Sequence, residues 1–349
     1  MNEVSPHRAV PPTEVGLKAG DTGPAVGVLQ RYLSRFGYLP LSATVQERLE
    51  GSQNPRISEV FDEETKEALR AYQAFHGLPT SGRLDAITVG QMALPRCGVP
   101  DVWNVEDLTF GTTRFVLSGA RWDHTELRYG FVNLTTDSAR RRIRRAVRAA
   151  FRAWSDVSLL TFTETATPPP PGTEILIRFT TGSYGPAGSF DGLGGMWGWA
   201  YYPPLAGGND AGDVYFDDAE TWNTEAVVPL TELDLQTAAT HEIGHALGLK
   251  HSAESGAIMW GSLNPRTPKR TLHQDDINGI RELYSTRVPL VLELTPALAA
   301  AEIRSARLEP KFFGTGGPDP YVSQQSPRFG TVVQIGSQVS LTIKNGPIP

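Results

Sequence analysis

The chain has 349 residues, 40% of them hydrophobic and 20% charged, with a formal net charge of −6 at pH 7. These values are ordinary for a soluble globular protein, and the length is enough for two or three domains. The acidic balance offers no general attraction to nucleic acid or to an anionic membrane surface, so neither is expected as a partner.

Residues 1–16 are polar and rich in proline, which predicts a disordered lead. They contain no apolar run as long as that of a signal peptide, and no later stretch is long enough to span a membrane. Three explanations stay open: export by another route, a truncated start, or a protein that stays inside the cell.

Residues 17–102 are predicted to form a unit of three helices, of which the second begins after Asp62 and the third, a short one, after Asp85. Apolar residues at helical spacing give the buried faces: Val26, Leu29, Leu33 and Phe36 in the first helix, and Leu69, Tyr72 and Phe75 in the second. The unit resembles the peptidoglycan-binding-like fold. Residues 41–59 look like a polar, irregular insertion in it.

The single cysteine, Cys97, lies in the sequence PRCGVPDV of residues 95–102. No intramolecular disulfide can form, but a thiolate is a strong zinc ligand that can fill an open coordination position. The flanking prolines present the thiol on an extended segment, and Arg96 and Asp101 can pair to shape it. The alternative for a lone cysteine is a buried, inert side chain. Residues 103–120 lack strong periodicity and are expected to form an exposed linker that is open to cleavage.

Residues 121–286 are predicted to form the central domain. A strand runs from Leu127 to Val132, Asp137 caps the helix that follows, and residues 272–285 close the domain as another helix. Five arginines lie mostly opposite the apolar face of the first helix: Arg141, Arg144, Arg145, Arg148 and Arg152. They are interpreted as a solvated face, with an anionic wall polymer as the alternative ligand.

The sequence HEIGHALGLKH, which begins at His241, carries the densest chemistry of the chain. In a helix, His241 and His245 are one turn apart on the same face, so both imidazoles can reach one zinc ion. Glu242 beside them can hold a water at the metal and take its proton. Gly248 suits a helix end, and His251 on the returning chain would be a third nitrogen ligand that leaves one position open for water. The alternative is a chance HExxH pattern whose histidines are only surface residues.

With Ser252 after the third histidine and Met259 in SGAIMWG, the motif resembles the signature of the matrixins, the matrix metalloproteinase branch of the metzincins. The resemblance implies a zinc endopeptidase in which Met259 lies beneath the metal. It also implies that Cys97 is the cysteine switch of a latent zymogen, and that protein or peptide substrates add as an extended strand along residues 196–200. An extracellular or wall-associated location is expected from the same resemblance.

The resemblance also assigns structural calcium, as one or more ions, to the loop and edge strand of residues 190–222. The implied ligands are the carboxylates of Asp191, Asp217 and Glu220 and the carbonyl oxygens of Gly192, Gly194 and Met196. The positions of the family's structural zinc are occupied here by Tyr184, Pro186, Trp199 and Tyr215, none of which is a good zinc ligand. A second zinc ion is therefore predicted to be absent, with aromatic packing in its place. The family's Pro-x-Tyr pocket wall is likewise replaced, by Gly261, Ser262 and Leu263.

Residues 287–349 are predicted to form a short helix, from about Thr295 to Arg307, followed by alternating strands. Their pattern resembles a single PASTA domain, through Gln325, Ser326, Pro327, Gly330, Gly336 and Gly346. The alternative is a small packing appendage without a ligand.

The expected fold class is therefore multidomain α+β, with a three-helix prodomain, a metzincin-type domain made of a twisted mixed sheet and three helices, and a small α+β PASTA-like domain. The expected function is that of a zinc-dependent endopeptidase made as a latent zymogen, with one catalytic zinc. The alternative is a protein that binds peptidoglycan or another cell-wall polymer through its end domains, with a secondary or inactive protease domain.

Overall fold

The computed structural model describes residues 10–39, 57–102, 117–204, 207–263, 267–314 and 316–346. Most of the insertion expected at 41–59, most of the linker expected at 103–120 and the first part of the lead lie outside these residues. Among the described residues, no helix has the length and apolar character needed to cross a bilayer.

The described residues of the N-terminal unit include three helices: α1 (Pro24–Arg35), α2 (Glu63–Phe75) and α3 (Ala86–Met92). The carboxylates of Asp62 and Asp85 accept hydrogen bonds from the backbone N–H groups of Thr65 and Thr88, which caps α2 and α3 at the starts that the sequence predicts. At the core of the unit, Tyr72 meets the rings of Tyr32 and Tyr38 edge to face.

The central domain is built on a six-stranded sheet. Its strands are β1 (Arg96–Cys97), β2 (Glu126–Phe131), β3 (Thr161–Glu164), β4 (Ile175–Thr180), β5 (Met196–Ala200) and β6 (Val214–Asp217). The order is β1-β5-β6-β4-β2-β3, with β5 antiparallel to β6 and all other neighbours parallel. Because β1 contains Cys97, the end of the N-terminal unit is itself the edge strand of the central sheet.

Three helices accompany the sheet: α4 (Arg140–Ser155), α5 (Leu235–Ala246) and α6 (Gln274–Leu283). A short parallel pair, β7 (Trp222–Asn223) and β8 (Leu233–Asp234), precedes α5. Helix α4 packs on α5, where the indole Nε1 of Trp154 donates to the carbonyl of Thr240 at 2.9 Å. The predicted cap of α4 is wrong: the helix begins after Ala139 without a side-chain cap, because the carboxylate of Asp137 instead accepts from the backbone N–H of Trp222.

The C-terminal unit has its own apolar core, which includes Ile303, Val322, Val339 and Leu341. It comprises α7 (Pro296–Ser305) and a sheet in which β13 (Gln338–Asn345) lies between β10 (Glu309–Phe313) and β11 (Pro320–Ser326). A two-stranded ladder of β9 (Ser285–Arg287) and β12 (Val332–Gln334) joins it to the end of α6. The predicted multidomain α+β class is confirmed.

Candidate metal centre and active site

Helix α5 carries the first two histidines of the site. Its start is fixed by Asp234, whose carboxylate accepts from the backbone N–H of Thr237 at 3.0 Å. His241, Glu242 and His245 follow on the buried length of the helix, and all three have no exposed surface. Buried polar side chains require partners, and the surrounding atoms supply them for the two histidines.

The chain reverses at Gly248, which has a φ of 109°. A Cβ at this position would lie 2.2 Å from the carbonyl oxygen of Ala120, so the turn requires glycine both for its backbone conformation and for its space. The reversal returns the chain so that the ring of His251 comes to lie 5.1 Å from that of His241.

The three imidazoles converge on one point. The Nε2 atom of His241 lies 3.1 Å from that of His245 and 3.2 Å from that of His251. The sulfur of Cys97 lies 3.5 Å from Nε2 of His245. The four ligand atoms are all within 4.8 Å of one another, and all four residues are buried.

The outer ring nitrogens determine which atoms face that point. Nδ1 of His241 lies 2.7 Å from the carbonyl oxygen of Ile258, and Nδ1 of His245 lies 2.7 Å from that of Leu249. An Nδ1 that donates to a carbonyl leaves Nε2 as a lone pair, and lone pairs that face one another need a cation between them. Burial lowers the pKa of both rings well below the usual histidine range, so they are neutral, as metal ligands must be. Three neutral nitrogens and one sulfur fit a tetrahedral zinc ion.

The carboxylate of Glu242 faces the same region. Neither of its oxygens has a well-formed hydrogen bond among the described residues, and burial raises its pKa well above the usual range although the nearby thiol of Cys97 partly offsets this. On strand β5, Gly198 makes room for it, because a Cβ on Gly198 would lie 2.5 Å from Oε1 of Glu242. Gly198 could not be identified from the sequence, because its role depends on how β5 lies over α5.

Met259 lies beneath the helix, where a Cβ on Gly244 would come within 2.3 Å of its sulfur. The turn that holds it depends on Asp276, whose carboxylate accepts from the backbone N–H groups of Ile258 and Met259 at 2.9 and 3.0 Å. The sequence analysis missed Asp276, although its place in the first turn of α6 was a signal for a helix cap.

The segment around Cys97 lies in the cleft as an extended strand. On one side its Arg96 and Gly98 N–H groups donate to the carbonyls of Gly195 and Gly198, both at 2.8 Å. On the other side the N–H of Cys97 donates to the carbonyl of Gly261 at 2.8 Å. Burial raises the pKa of the Cys97 thiol well above its usual range, and the carboxylate of Glu242 raises it further. A cation would be needed for the thiolate to form at this place.

The expected pair of Arg96 and Asp101 forms, with 2.6 Å between Nη2 and Oδ1. Although burial opposes ionisation of Asp101, Arg96 and His251 hold its pKa well below the usual range. The guanidinium of Arg96 also lies 3.5 Å above the ring centre of Phe36. The segment is thus held to both the N-terminal unit and the histidine site.

The expected calcium residues come together around the loop that precedes β5. The backbone N–H groups of Gly192, Gly194 and Met196 donate to the carboxylates of Asp217, Glu220 and Asp191, at 3.2, 2.8 and 3.0 Å respectively. Burial, with the nearby carboxylates of Asp217 and Asp191, raises the pKa of Glu220 to about 7. Asp191 on this loop, Asp217 at the end of β6 and Glu220 just after it offer the carboxylate oxygens that a hard cation such as calcium prefers.

The positions of the family's second zinc carry stacked rings. Tyr184 lies on Trp199 with ring centres 5.1 Å apart and planes at 17°, and Trp199 meets Tyr201 edge to face. Tyr201 in turn meets Tyr215 edge to face. The expected aromatic packing is therefore present over this loop.

Comparison with known proteins agrees with this geometry. The model of the Matrixin family matches residues 121–285, that of the putative peptidoglycan binding domain matches residues 22–92, and that of the PASTA domain matches residues 286–345. Metalloendoproteinase 1-MMP of Arabidopsis thaliana is 34% identical over 297 residues, which are 80% of this chain and 74% of the plant protein.

Two animal proteins match over a smaller part of their length. Interstitial collagenase of Equus caballus is 39% identical over 220 residues, which are 62% of this chain and 42% of the collagenase. Hatching enzyme of Paracentrotus lividus is 37% identical over 264 residues, which are 75% of this chain and 39% of that enzyme. The chain thus spans about two fifths of the length of these animal relatives. It belongs to the matrixin family of zinc metalloendopeptidases, in a form with a peptidoglycan-binding-type domain before the matrixin domain and a PASTA domain after it.

Proposed function

We propose that the chain is a latent zinc-dependent endopeptidase that hydrolyses extended protein substrates. His241, His245 and His251 would hold one catalytic zinc, and Cys97 would be its fourth ligand until the prosegment leaves. The observation that carries the proposal is the convergence of three Nε2 atoms and one sulfur on a buried point beside the carboxylate of Glu242. Zinc held there would supply Lewis acidity to water and to the scissile carbonyl.

Glu242 has the proton-transfer role. Its carboxylate takes a proton from the attacking water and delivers it to the nitrogen of the leaving amine. Burial raises the pKa of its carboxyl above the usual range, which favours uptake of the proton from the water. Met259 contributes no acid or base; its thioether packs against α5 at Gly244 and supports the helix that carries the ligands.

Strand β5 has the binding role. The carbonyls of Gly195 and Gly198 accept hydrogen bonds from the prosegment, and a substrate strand would use the same groups once the prosegment has left. Backbone pairing of this kind gives affinity with little choice of sequence. Latency follows from the same contacts, because the segment around Cys97 occupies both the position of the substrate strand and the fourth ligand position of the metal.

The proposed division of the chain is a prodomain of residues 17–102, a linker of residues 103–120, a catalytic domain of residues 121–286 and a PASTA domain of residues 287–349. Calcium would be held by Asp191, Asp217 and Glu220 with carbonyl oxygens of Gly192, Gly194 and Met196, and a structural role is proposed for it. The second zinc is proposed to be absent, since rings occupy its ligand positions.

Incubation of the purified chain with casein tests the proposal. After removal of the prosegment, cleavage should occur, stop when a chelator removes the metal, and return when zinc is added. An intact casein band under all these conditions would contradict the proposal.

A second candidate function is adhesion to the cell wall, outside the cell. The matches to a peptidoglycan binding domain and to a PASTA domain, at opposite ends of the chain, favour it. It is tested by centrifugation of the chain with purified peptidoglycan. Sedimentation with the polymer, whether or not casein is cleaved, supports it, and a chain that stays in the supernatant contradicts it.

A further inference from the structure

A set of side chains at the rim of the cleft has a partner that belongs to the prodomain. The set consists of Tyr184, Trp199 and Met196, and is called here the aromatic platform. The two rings are stacked, and Met196 begins strand β5 beside them. All three side chains are buried, and Arg35 at the end of α1 contacts each of them.

The covering residue is Arg35. Its Nη2 donates to the phenol oxygen of Tyr184 at 3.0 Å and lies 3.3 Å from the sulfur of Met196. Its guanidinium carbon lies 5.4 Å from a ring centre of Trp199. Among the described residues, no carboxylate forms a salt bridge with Arg35. The aromatic platform itself therefore provides the site for this cation, through the ring of Trp199, the hydroxyl of Tyr184 and the sulfur of Met196.

Gly98 connects this contact to the substrate position. Its N–H donates to the carbonyl of Gly198, so it lies on β5 where a substrate residue would lie. A Cβ on Gly98 would be 3.2 Å from the sulfur of Met196 and 3.4 Å from Nη2 of Arg35. A side chain that grew from this position would enter the space that Arg35 holds. The prosegment thus has no side chain at Gly98, and the guanidinium of Arg35 from α1 fills the space beside it.

We infer that the aromatic platform is a substrate subsite for a cationic side chain, arginine above all, at the residue that replaces Gly98, and that Arg35 occupies this subsite in the zymogen. The inference rests on the proposed peptidase function. A planar guanidinium can stack on the indole and donate to the phenol at the same time, whereas the ammonium of lysine lacks that planar geometry.

Matched peptides test the inference on the enzyme matured from the full chain. One generic substrate is made in a series with arginine at each position around the scissile bond in turn, each paired with citrulline, which has the same shape without the charge. At one position arginine should give a kcat/KM about two to five times that of citrulline, with lysine between them. Equal cleavage of every pair would overturn the inference while leaving the peptidase intact; cleavage of no peptide would overturn the proposed function as well.

Two variants locate the preference. In Trp199→Leu the ratio of arginine to citrulline should fall to about one, since the ring face is lost. Tyr184→Phe keeps the ring and removes only the hydroxyl. In this variant the ratio of kcat/KM for the arginine peptide to that for the citrulline peptide should fall by about half, while the ratio of lysine to citrulline should stay the same. A ratio that stays at the wild-type value in Tyr184→Phe and in every folded Trp199 variant would assign the preference to another surface and overturn the inference.

Discussion

Asp101 of the prosegment accepts a hydrogen bond from the ring of His251, with 2.6 Å between Oδ1 and Nδ1. The other two histidines use backbone carbonyls of the central domain for the same purpose. Under the proposed function, one of the three metal ligands is oriented by a residue that would leave on maturation, so the prosegment would hold the site by a carboxylate as well as by the thiol.

Replacement of this carboxylate should lower both the stability of the zymogen and its affinity for zinc. In Asp101→Asn, Arg96 stays buried without its charge partner, which should lower the free energy of unfolding by about 3–5 kcal/mol. Zinc transfer to a chelator should become about tenfold more favourable, because His251 loses its anionic acceptor. Denaturant unfolding and chelator titration measure the two effects. The matured enzyme is a matched control, since wild type and variant become the same molecule once the prosegment is gone; a zymogen variant that keeps wild-type zinc affinity contradicts the role given to Asp101.

Loss of the thiol should abolish the latency of the zymogen. In Cys97→Ser the hydroxyl is a much weaker zinc ligand than a thiolate, so the chain should be active without treatment and should cleave itself. Gel electrophoresis over time and casein hydrolysis measure this. The double variant with Glu242→Gln should stay intact, which would show that the chain's own activity causes the cleavage. A Cys97→Ser chain as silent as wild type would show that the thiol does not control latency.

Loss of the proton acceptor should separate binding from catalysis. Glu242→Gln keeps the size of the side chain and removes its basicity, so the matured variant should contain one zinc and lose about 10²- to 10⁴-fold in kcat. Metal analysis and peptide hydrolysis are the two measurements. Turnover at the wild-type rate would rule out the role of Glu242 as the base.

Catalysis should depend on the space in front of Glu242 as well as on its charge. In Gly198→Ala the added Cβ would start 2.5 Å from Oε1, so the carboxylate must move, and kcat/KM should fall by about 10²-fold with zinc content unchanged. Gly182→Ala in the same domain is the matched control, because a Cβ there meets nothing within 4 Å. Equal activity of the two variants would show that the carboxylate tolerates displacement.

Calcium should stabilise the chain more at higher pH. The pKa of Glu220 is raised to about 7 in the folded chain, above its ordinary value of 4.5, so without calcium its contribution to stability is lost as pH rises between these two values. Calcium binds the ionised carboxylates, and it should therefore stabilise the folded chain most above pH 7. The shift in Tm on adding calcium, measured at pH 5.5 and pH 8 in the Glu242→Gln zymogen, should be larger at pH 8. A shift that is the same at both pH values contradicts the assignment, and in Glu220→Gln the pH dependence should weaken.

The features that sequence could predict are those whose partners lie close along the chain. The spacing of His241 and His245 on a helix and the turn at Gly248 follow from local geometry, as do the helix starts after Asp62 and Asp85. Contacts that depend on how distant segments meet could not be predicted. Asp101 and His251 are 150 positions apart, Arg35 and Tyr184 are 149 apart, and the room that Gly198 leaves for Glu242 depends on how β5 lies on α5. The error at Asp137 has the same origin, because its partner Trp222 lies 85 positions further on.

X-ray absorption at the zinc edge of the full-length Glu242→Gln zymogen, before and after removal of the prosegment, reports the zinc ligands in both states. Three nitrogen ligands and one sulfur are expected before removal, and three nitrogens with no sulfur afterwards. A zymogen whose zinc shows no sulfur ligand, or whose ligand set does not change on removal of the prosegment, would contradict the proposed role of Cys97 as the fourth zinc ligand.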